Sequence, residues 1–377
     1  MTAAPIVAFG EDWGRHPTST QHLLGQLSET RRILYLNSVG LRRPRLSDAA
    51  RLAGKLRAIT RPADAHDATQ RPARRPEVVA SPPAVPVPGA RLARAANRLL
   101  WRRAVGGRAR AMGLDRPILW VSLPTALDAR DVVPHRALVY YCGDEFGALD
   151  GVDHAPVLAM ERELAAAADL IVVSHPRLAE NFDPAKTALL PHGVELRRFT
   201  AVPEPARGGP PTAGFLGRLD DRLDYGAVAR AADRLPDWRF VLVGPVAPSA
   251  GAALEDLARR PNVSLTGPVA PEAVPALLKR WTAALLPYRD TEMTRACDPL
   301  KLREYLAAGT PVAAFDIAGA RSYADALALC DAEGLADALR AAAAEPAEAR
   351  ALRARSVAGD DWSARAATLS ALLERVS

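Results

Sequence analysis

Two successive runs of alternating strand-like and helix-like segments constrain the fold of this 377-residue chain more than any other feature. In the first run, short apolar segments stand at 5–9, 32–37, 117–122, 137–142, 169–174 and 188–191, with helical stretches at 20–30, 124–130, 157–168 and 176–181. In the second, strand-like segments stand at 212–216, 239–243, 263–266, 283–287 and 312–315, with helices at 225–234, 271–280 and from 299. Such alternation is typical of parallel sheets covered by helices on both faces, with ligand sites at the carboxyl ends of the strands. The sequence therefore predicts an α/β fold with two doubly wound sheets.

A segment rich in Pro and Gly, 201–211, separates the two runs and is predicted to be a linker. The predicted division is an N-terminal domain at 1–200, a second domain at 212–360 and a C-terminal helix at 361–377. That helix is a candidate for packing back on the N-terminal domain. Two domains of similar size are expected to face each other across a cleft, where ligands usually bind.

Composition places the chain among globular proteins, with 49% apolar and 24% charged residues. The three cysteines, Cys142, Cys297 and Cys330, lack the spacing of a zinc site or a disulfide framework, so neither a metal nor a cofactor is expected. No apolar run approaches the roughly 20 residues that cross a bilayer, and the N-terminus lacks the features of a secretory signal. We expect a cytoplasmic protein.

Positive charge is concentrated at 41–116, a basic excursion from the alternating pattern with 18 Lys and Arg against 5 Asp and Glu. Within it, 61–89 is rich in Pro and Ala and is expected to be irregular. Between residues 90 and 113, helical spacing puts one set of side chains on a basic face and another on an apolar face: Arg91, Arg94, Arg98 and Arg102, against Leu92, Ala96 and Leu99. This pattern predicts a helix on the anionic inner face of a membrane; the alternative is an ordinary surface of an Ala- and Arg-rich chain. The segment lacks the interleaved aromatic residues that would favour binding to nucleic acid.

The stretch 298–311 carries the clearest ligand signal. Asp298 is predicted to cap a helix that begins at Pro299, and Gly309 is predicted to end it. Lys301 and Glu304 then fall on one face near the helix start, where free N–H groups and the helix dipole favour a diphosphate. The carboxylate of Glu304 suits hydroxyl groups such as those of a ribose. The alternative is an ordinary surface pair on a connecting helix.

The order and spacing of several motifs resemble GT-B fold glycosyltransferases over nearly the whole chain. The motifs stand at 214–219, 222–224, 240–245, 262–267 and 298–312 in the second half, and at 140–145, 168–174 and 192–194 in the first. The chain is most similar to bacterial cell-surface polysaccharide enzymes of the teichuronic-acid type and the xanthan-assembly glucuronosyltransferase type. The resemblance implies two Rossmann-like domains and sugar transfer from a nucleotide-sugar to a hydroxyl of a glycan or lipid-linked acceptor.

The chain departs from the large retaining family that has two glutamates with seven residues between them, because Ala296 stands at the first position and only Glu304 matches. The xanthan-assembly type inverts, with an aspartate as base and a lysine and a polar residue that hold the nucleotide. Asp144 matches the aspartate by its place after a strand, and Lys301 and Glu304 match the pair. The resemblance therefore favours inversion.

Inverting transfer needs a carboxylate that takes the proton of the attacking hydroxyl and positive charge for the departing diphosphate. Asp144 is the predicted base, with Glu145 as its rival and a helix cap or core acceptor as the alternative for Asp144. The predicted donor-binding residues are Gly217, Arg218, Gly244, Tyr288, Pro299, Leu300, Lys301 and Glu304; the predicted acceptor-side residues are His16 and Ser19. Tyr288 either stacks on a base or is a rim aromatic. A nucleotide-sugar epimerase and a non-catalytic nucleotide-binding scaffold stay open as alternative functions.

Overall fold

The computed structural model describes residues 3–14, 18–44, 74–149, 151–205, 208–295 and 297–377. The chain forms two compact units: unit 1, Met1–Pro191 with Trp362–Ser377, and unit 2, His192–Asp361. This division differs from the predicted one because 192–200 belongs to unit 2. There the backbone N–H of His192 donates to Asp298, and the N–H of Leu196 donates to Asp361.

Unit 1 contains a seven-stranded parallel sheet in the order β3-β2-β1-β4-β5-β6-β7. Its strands are β1 Ile6–Phe9, β2 Ile33–Leu36, β3 Val78–Ala80, β4 Ile118–Val121, β5 Ala137–Cys142, β6 Leu170–Val173 and β7 Thr187–Leu189. Its helices are α1 Ser19–Leu27, α2 Arg91–Ala111, α3 His154–Ala167, α4 Pro176–Ala179 and α14 Trp362–Glu374, with 3-10 turns at Pro124–Asp131 and Pro184–Lys186. The inner strands β1, β2, β4, β5 and β6 are buried along their whole length, as their continuous apolar sequences require in a sheet covered on both faces.

The C-terminal helix α14 packs on α1 inside unit 1. The ring of Trp362 stacks on that of His22 with centroids 4.8 Å apart, and the guanidinium of Arg31 donates to Ser370 at 2.9 Å. Trp362, Leu369 and Leu373 are buried. The last residues of the chain thus complete the core of the unit that contains the first strand.

Unit 2 contains a six-stranded parallel sheet in the order β10-β9-β8-β11-β12-β13. Its strands are β8 Thr212–Leu216, β9 Arg239–Val243, β10 Val263–Gly267, β11 Ala283–Leu286, β12 Val312–Phe315 and β13 Ala328–Cys330. Its helices are α5 Leu196–Thr200, α6 Tyr225–Arg234, α7 Gly251–Ala258, α8 Val274–Arg280, α9 Glu292–Arg295, α10 Leu300–Ala307, α11 Ala318–Arg321, α12 Leu335–Ala343 and α13 Ala347–Ser356. Four 3-10 turns accompany them: Pro248–Ala250, Pro271–Ala273, Ala324–Ala326 and Ala358–Asp360.

The predicted fold class, two doubly wound α/β sheets, is confirmed. The structure describes only part of the basic excursion, because 45–73 lies outside the described residues. Its remainder is more regular than predicted: within 61–89, β3 pairs in parallel with β2, Leu34 opposite Val78. Residues 74–77 and 81–89 are irregular, and β3 between them forms one edge of the sheet.

Candidate active site

The side chain of Lys301 is the strongest candidate in unit 2 for binding an anionic ligand. Helix α10 is fixed to the carboxyl end of β8 because the N–H of Leu216 donates to the hydroxyl of Tyr305 at 2.8 Å. One turn earlier, the ammonium of Lys301 lies 4.4 Å from the ring centroid of Phe215 and donates to the hydroxyl of Tyr288 at 2.5 Å. Within the described residues no carboxylate is at ion-pair distance from this half-buried ammonium. A cation with two N–H donors left is therefore available to an anionic ligand.

Two glycine turns at the carboxyl ends of β8 and β9 leave room beside this lysine. Gly217 has φ of +139°, and a Cβ there would lie 2.5 Å from the Nζ of Lys301. Gly244 has φ of +144°, and a Cβ there would overlap the carbonyl oxygen of Gly217. Any other residue would be strained at both positions. The turns therefore bring backbone close to the ammonium, as phosphate-binding sites require.

The predicted cation Arg218 is exposed, with its guanidinium 3.9 Å from Asp220. Asp220 is held more closely by Arg222, which donates to both carboxylate oxygens at 2.7 to 3.1 Å. Burial raises the pKa of Asp220, but the hydrogen bonds and charge of Arg222, with the charge of Lys301, outweigh it and leave the pKa below its usual value. Arg222 is thus engaged inside the loop, while Arg218 is exposed and makes only the longer contact with Asp220.

The start of α10 differs from the prediction. The helix begins at Leu300, Pro299 occupies the N-cap position, and no side chain caps it. Asp298 is not a cap, because it is buried and pairs with Arg303 at 2.6 Å and accepts from the N–H of His192 at 3.2 Å. Burial raises the pKa of Asp298, but the charges of Arg303 and His192 outweigh it, so the pKa lies below its usual value. Asp298 therefore holds the start of α10 in place through its buried contacts with Arg303 and the N–H of His192.

The two residues after Asp298 also have structural surroundings. Pro299 is buried, and a Cβ on Gly319 would lie 2.7 Å from its ring. Leu300 is half-buried at the first helical position. Their predicted contribution to donor binding is thus through the backbone at the helix start, next to Lys301.

Glu304 lies one turn after Lys301, half-buried and without an ion pair to it in the described part of the chain. The alternative prediction, an ordinary surface pair with Lys301, is therefore wrong. Burial raises the pKa of Glu304, and the charges of Arg198 and Lys301 offset part of that rise. No described group hydrogen-bonds its carboxylate, so it is available to ligand hydroxyls.

Tyr288 is not the rim aromatic that the sequence indicated. It is 2% exposed, with the ammonium of Lys301 5.0 Å and the guanidinium of Arg222 5.5 Å from its ring centroid. Because the ring is buried, it has no open face for stacking on a base. Tyr288 instead positions Lys301 through its hydroxyl.

The two predicted base candidates of unit 1 follow β5 and have different surroundings. Asp144 is exposed at the carboxyl edge of the sheet, near Glu11 and Tyr141, whose pKa values its charge raises. Glu145 accepts from Asn181 at 3.2 Å and lines a cavity of about 530 Å³ between α3 and the segment 181–186. Asp144 and not Glu145 therefore belongs to the group of side chains at the ends of β1 and β5.

The two predicted acceptor-side residues have different outcomes. His16 lies outside the described residues. Ser19 is not a loop residue: it is the first residue of α1, it is 5% exposed, and it interacts with the buried phenol of Tyr141. Its burial removes it from the surface where an acceptor would bind.

Glu11, directly after β1, is the residue that the motifs did not single out. Burial is the main cause that raises its pKa to about 7, and the charges of Asp144 and Asp12 add to the rise, against a backbone hydrogen bond and that of Thr18. The available signal was its position at the carboxyl end of a parallel strand. That signal does not distinguish it from Asp12 beside it.

Within the described residues no group of three or more His, Cys, Asp or Glu side chains is placed to hold a metal ion. None of the helices in these residues is both long and apolar enough to span a bilayer.

Comparison with known proteins assigns the unit that holds Lys301. Residues 210–345 match the family model described as glycosyl transferases group 1. This segment is thus similar to the domain that the group 1 glycosyltransferases share. It contains both glycine turns, Tyr288, Lys301 and Glu304.

One curated relative and many solved structures are similar to the chain. A Bacillus subtilis (strain 168) protein, provisionally named as the teichuronic acid biosynthesis glycosyltransferase TuaH, is 30% identical over 219 residues, which are 52% of this chain and 55% of that protein. The chain therefore aligns with about half the length of this relative.

Among the solved structures, sucrose-phosphate synthase from Thermosynechococcus elongatus has a TM-score of 0.69 at 18% identity and 99% coverage of both chains. Anabaena HepE in complex with UDP and glucose has a TM-score of 0.68 at 12% identity, covering 98% of this chain and 99% of that one. WaaG, a glycosyltransferase involved in lipopolysaccharide biosynthesis, has a TM-score of 0.60 at 14% identity, with 97% and 98% covered. These neighbours are GT-B glycosyltransferases, and the predicted GT-B fold is confirmed.

Proposed function

We propose that this chain is a nucleotide-sugar-dependent glycosyltransferase of the hexosyltransferase class. It moves a sugar to a hydroxyl of a glycan or lipid-linked acceptor in surface polysaccharide assembly. The group 1 domain at 210–345, the similarity to TuaH and the neighbour that binds UDP and glucose support this proposal.

The observation that carries the proposal is the surroundings of the Lys301 ammonium. It is half-buried over two aromatic rings, uses one N–H on Tyr288, and faces the glycine turn at Gly217. A partly desolvated cation without an ion pair in the described residues is costly unless a ligand supplies the negative charge. A diphosphate of a nucleotide-sugar supplies it, and the same cation then stabilises the charge on the departing nucleoside diphosphate.

Unit 1 supplies the other half of the chemistry. A carboxylate at the carboxyl edge of its sheet takes the proton of the acceptor hydroxyl. Ala296 stands where the retaining family has its first glutamate, which favours inversion at the anomeric carbon. Neither a metal nor an organic cofactor is part of this proposal.

Replacement of Lys301 by Met tests the proposal, because Met keeps the length of the side chain without its charge. We expect UDP, GDP, TDP or ADP, whichever the wild type binds in calorimetry, to bind Lys301→Met roughly 10- to 100-fold more weakly, as the loss of a charge-assisted hydrogen bond predicts. Arg280→Met is the matched control. It removes one exposed charge just before β11, at the opposite edge of the sheet, and should leave the affinity unchanged.

Three results would contradict the proposal. Equal affinity of Lys301→Met and wild type for the nucleoside diphosphate would show that Lys301 does not bind the diphosphate. Conversion of a donor sugar to a new nucleotide-sugar without any acceptor would indicate an epimerase, and no binding of any nucleoside diphosphate would remove both enzymes.

The proposal includes attachment to an anionic membrane surface through α2. The structure corrects the predicted faces of this helix, because Arg94 and Arg98 pair with the buried Asp128 at 2.9 and 3.1 Å. The exposed side instead carries Leu92 and Leu99, which are 87% and 57% exposed, together with Arg91, Arg102 and Arg103. Those three arginines have no ion pair within the described residues. Exposed leucines between unpaired arginines fit the surface of an anionic bilayer.

A further inference from the structure

We propose that Glu11, rather than Asp144, takes the proton from the acceptor hydroxyl, in a group of side chains formed where β1 and β5 end. This inference rests on the proposed function and assigns one of its roles. Asp144 then acts as a positioning residue whose charge keeps Glu11 basic.

The first support is the place of Glu11 in the sheet. β1 and β4 are neighbours, as are β4 and β5, so the residues after β1 and β5 reach the same carboxyl edge. Glu11 follows β1 after Gly10, and Asp144 follows β5 after Gly143. Asp144 lies close enough for its charge to act on Glu11, and Tyr141 lies close to both.

The second support is that the loop holding Glu11 is fixed. The hydroxyl of Tyr35 donates to the backbone carbonyl of Glu11 at 2.7 Å, and a Cβ on Gly10 would overlap that hydroxyl. The N–H of Trp13 donates to Asn37 at 2.9 Å. A catalytic group needs such preorganisation, because small displacements cost rate.

The third support is the set of groups around the carboxylate of Glu11. Thr18 donates to it at 3.2 Å, Asp12 and Asp144 bring negative charge, and Tyr35 packs beneath. No Lys or Arg among the described residues lies at ion-pair distance. Burial and like charge raise the pKa of Glu11 to about 7, which suits a base near neutral pH, and the side chain stays partly exposed.

The proposed step balances as follows. The acceptor hydroxyl loses its proton to the carboxylate of Glu11, and its oxygen forms a bond to the anomeric carbon of the donor. The bond from that carbon to the phosphate oxygen breaks, and its electron pair leaves with the nucleoside diphosphate.

The test compares the pH dependence of kcat for four proteins with a donor and acceptor that the wild type uses. Wild type should show an acid limb with a midpoint near 7, set by Glu11. Glu11→Gln should lose that limb and roughly 100- to 10,000-fold in kcat, with unchanged binding of the nucleoside diphosphate. Asp144→Asn should keep turnover but move the limb to lower pH, since a charge that raises the pKa of Glu11 is gone. Glu180→Gln, an exposed carboxylate of unit 1, is the control and should match wild type.

A second measurement does not depend on turnover. A carboxyl whose pKa is raised from the usual 4.5 to about 7 stabilises the fold below pH 4.5, and that contribution is lost as pH rises through 7. The urea midpoint of Glu11→Gln should therefore rise relative to wild type between pH 5 and pH 8. Glu180→Gln should show no such trend.

Three outcomes would overturn the assignment. They are a Glu11→Gln protein that keeps kcat and the acid limb, an Asp144→Asn protein that is inactive while Glu11→Gln is active, and a urea midpoint of Glu11→Gln that does not rise with pH. A wild type that transfers no sugar from any donor would instead contradict the proposed function itself.

Discussion

At the scale of single residues, the turns at Gly217 and Gly244 both need glycine for their positive φ, but an added side chain would meet different atoms at the two positions. At Gly217 a side chain would meet the flexible end of Lys301, whereas at Gly244 it would meet the backbone of Gly217. A side-chain tip can move aside, but a backbone carbonyl held in a turn cannot. The absence of a side chain at Gly217 is therefore needed for ligand binding, and its absence at Gly244 is needed for the stability of the fold.

We expect Gly217→Ala to reduce nucleoside diphosphate affinity more than stability, because the methyl group displaces the ammonium. Gly244→Ala should lower the free energy of unfolding by more than Gly217→Ala, by at least about 1 to 3 kcal/mol, because the clash adds to backbone strain. Urea unfolding and calorimetry measure the two effects. Gly226→Ala is the control, since it meets only contacts of 3.4 Å or more in α6 and should stabilise by about 0.5 to 1 kcal/mol. Equal losses at 217 and 244 would contradict this distinction.

At the scale of elements, α2 shows how ion pairs decide which face of a helix is free. Asp128 is 1% exposed and needs positive charge, so it holds Arg94 and Arg98 against the 3-10 turn at Pro124–Asp131. Together with the buried side chains of Trp101 and Val105, these ion pairs orient the helix so that Leu92 and Leu99 face solvent. Helical spacing alone groups these residues, but it does not say which group faces inward.

The double variant Leu92→Glu, Leu99→Glu should reduce co-sedimentation with anionic vesicles, because it removes apolar contacts and adds repulsion from the lipid charge. Wild type should bind anionic but not neutral vesicles and should lose binding at high salt. Leu352→Glu, a 63% exposed leucine on a helix of unit 2, is the matched control. Equal binding of the double variant and wild type would remove α2 as the attachment surface.

At the scale of the whole molecule, the chain starts and ends in the same unit. Helix α14 completes unit 1 although its sequence follows unit 2 directly. Its buried face, with Trp362 on His22, contributes to the unit that holds Glu11 and Asp144. Lys301 and the glycine turn at Gly217 belong to unit 2.

We therefore expect Trp362→Ala to lower the free energy of unfolding by about 3 to 5 kcal/mol, the range for a buried aromatic, without changing nucleoside diphosphate affinity at temperatures where the protein is folded. Urea unfolding and calorimetry on the same protein separate the effects. The exposed Leu352→Ala should stay within about 0.5 kcal/mol of wild type. A fall in diphosphate affinity together with stability would contradict the separation.

The sequence by itself determined what depends on local order. Apolar runs between helical segments specify strands wherever they stand, so the α/β class and most strands were predictable. The glycines at 217 and 244 were predictable as ligand residues because each follows a strand end, and Lys301 because it lies near a predicted helix start.

Only the tertiary structure decided what depends on burial and on partners distant in the chain. Asp298 became an anchor because Arg303 and the N–H of His192 meet it in the interior, and Tyr288 is buried because it packs in the apolar core of unit 2 beside Phe215. Glu11 acquires its raised pKa from burial and from Asp144, more than a hundred residues later in the sequence. A side chain's charge state and accessible face are set by its neighbours in space, and no local pattern of residues contains them.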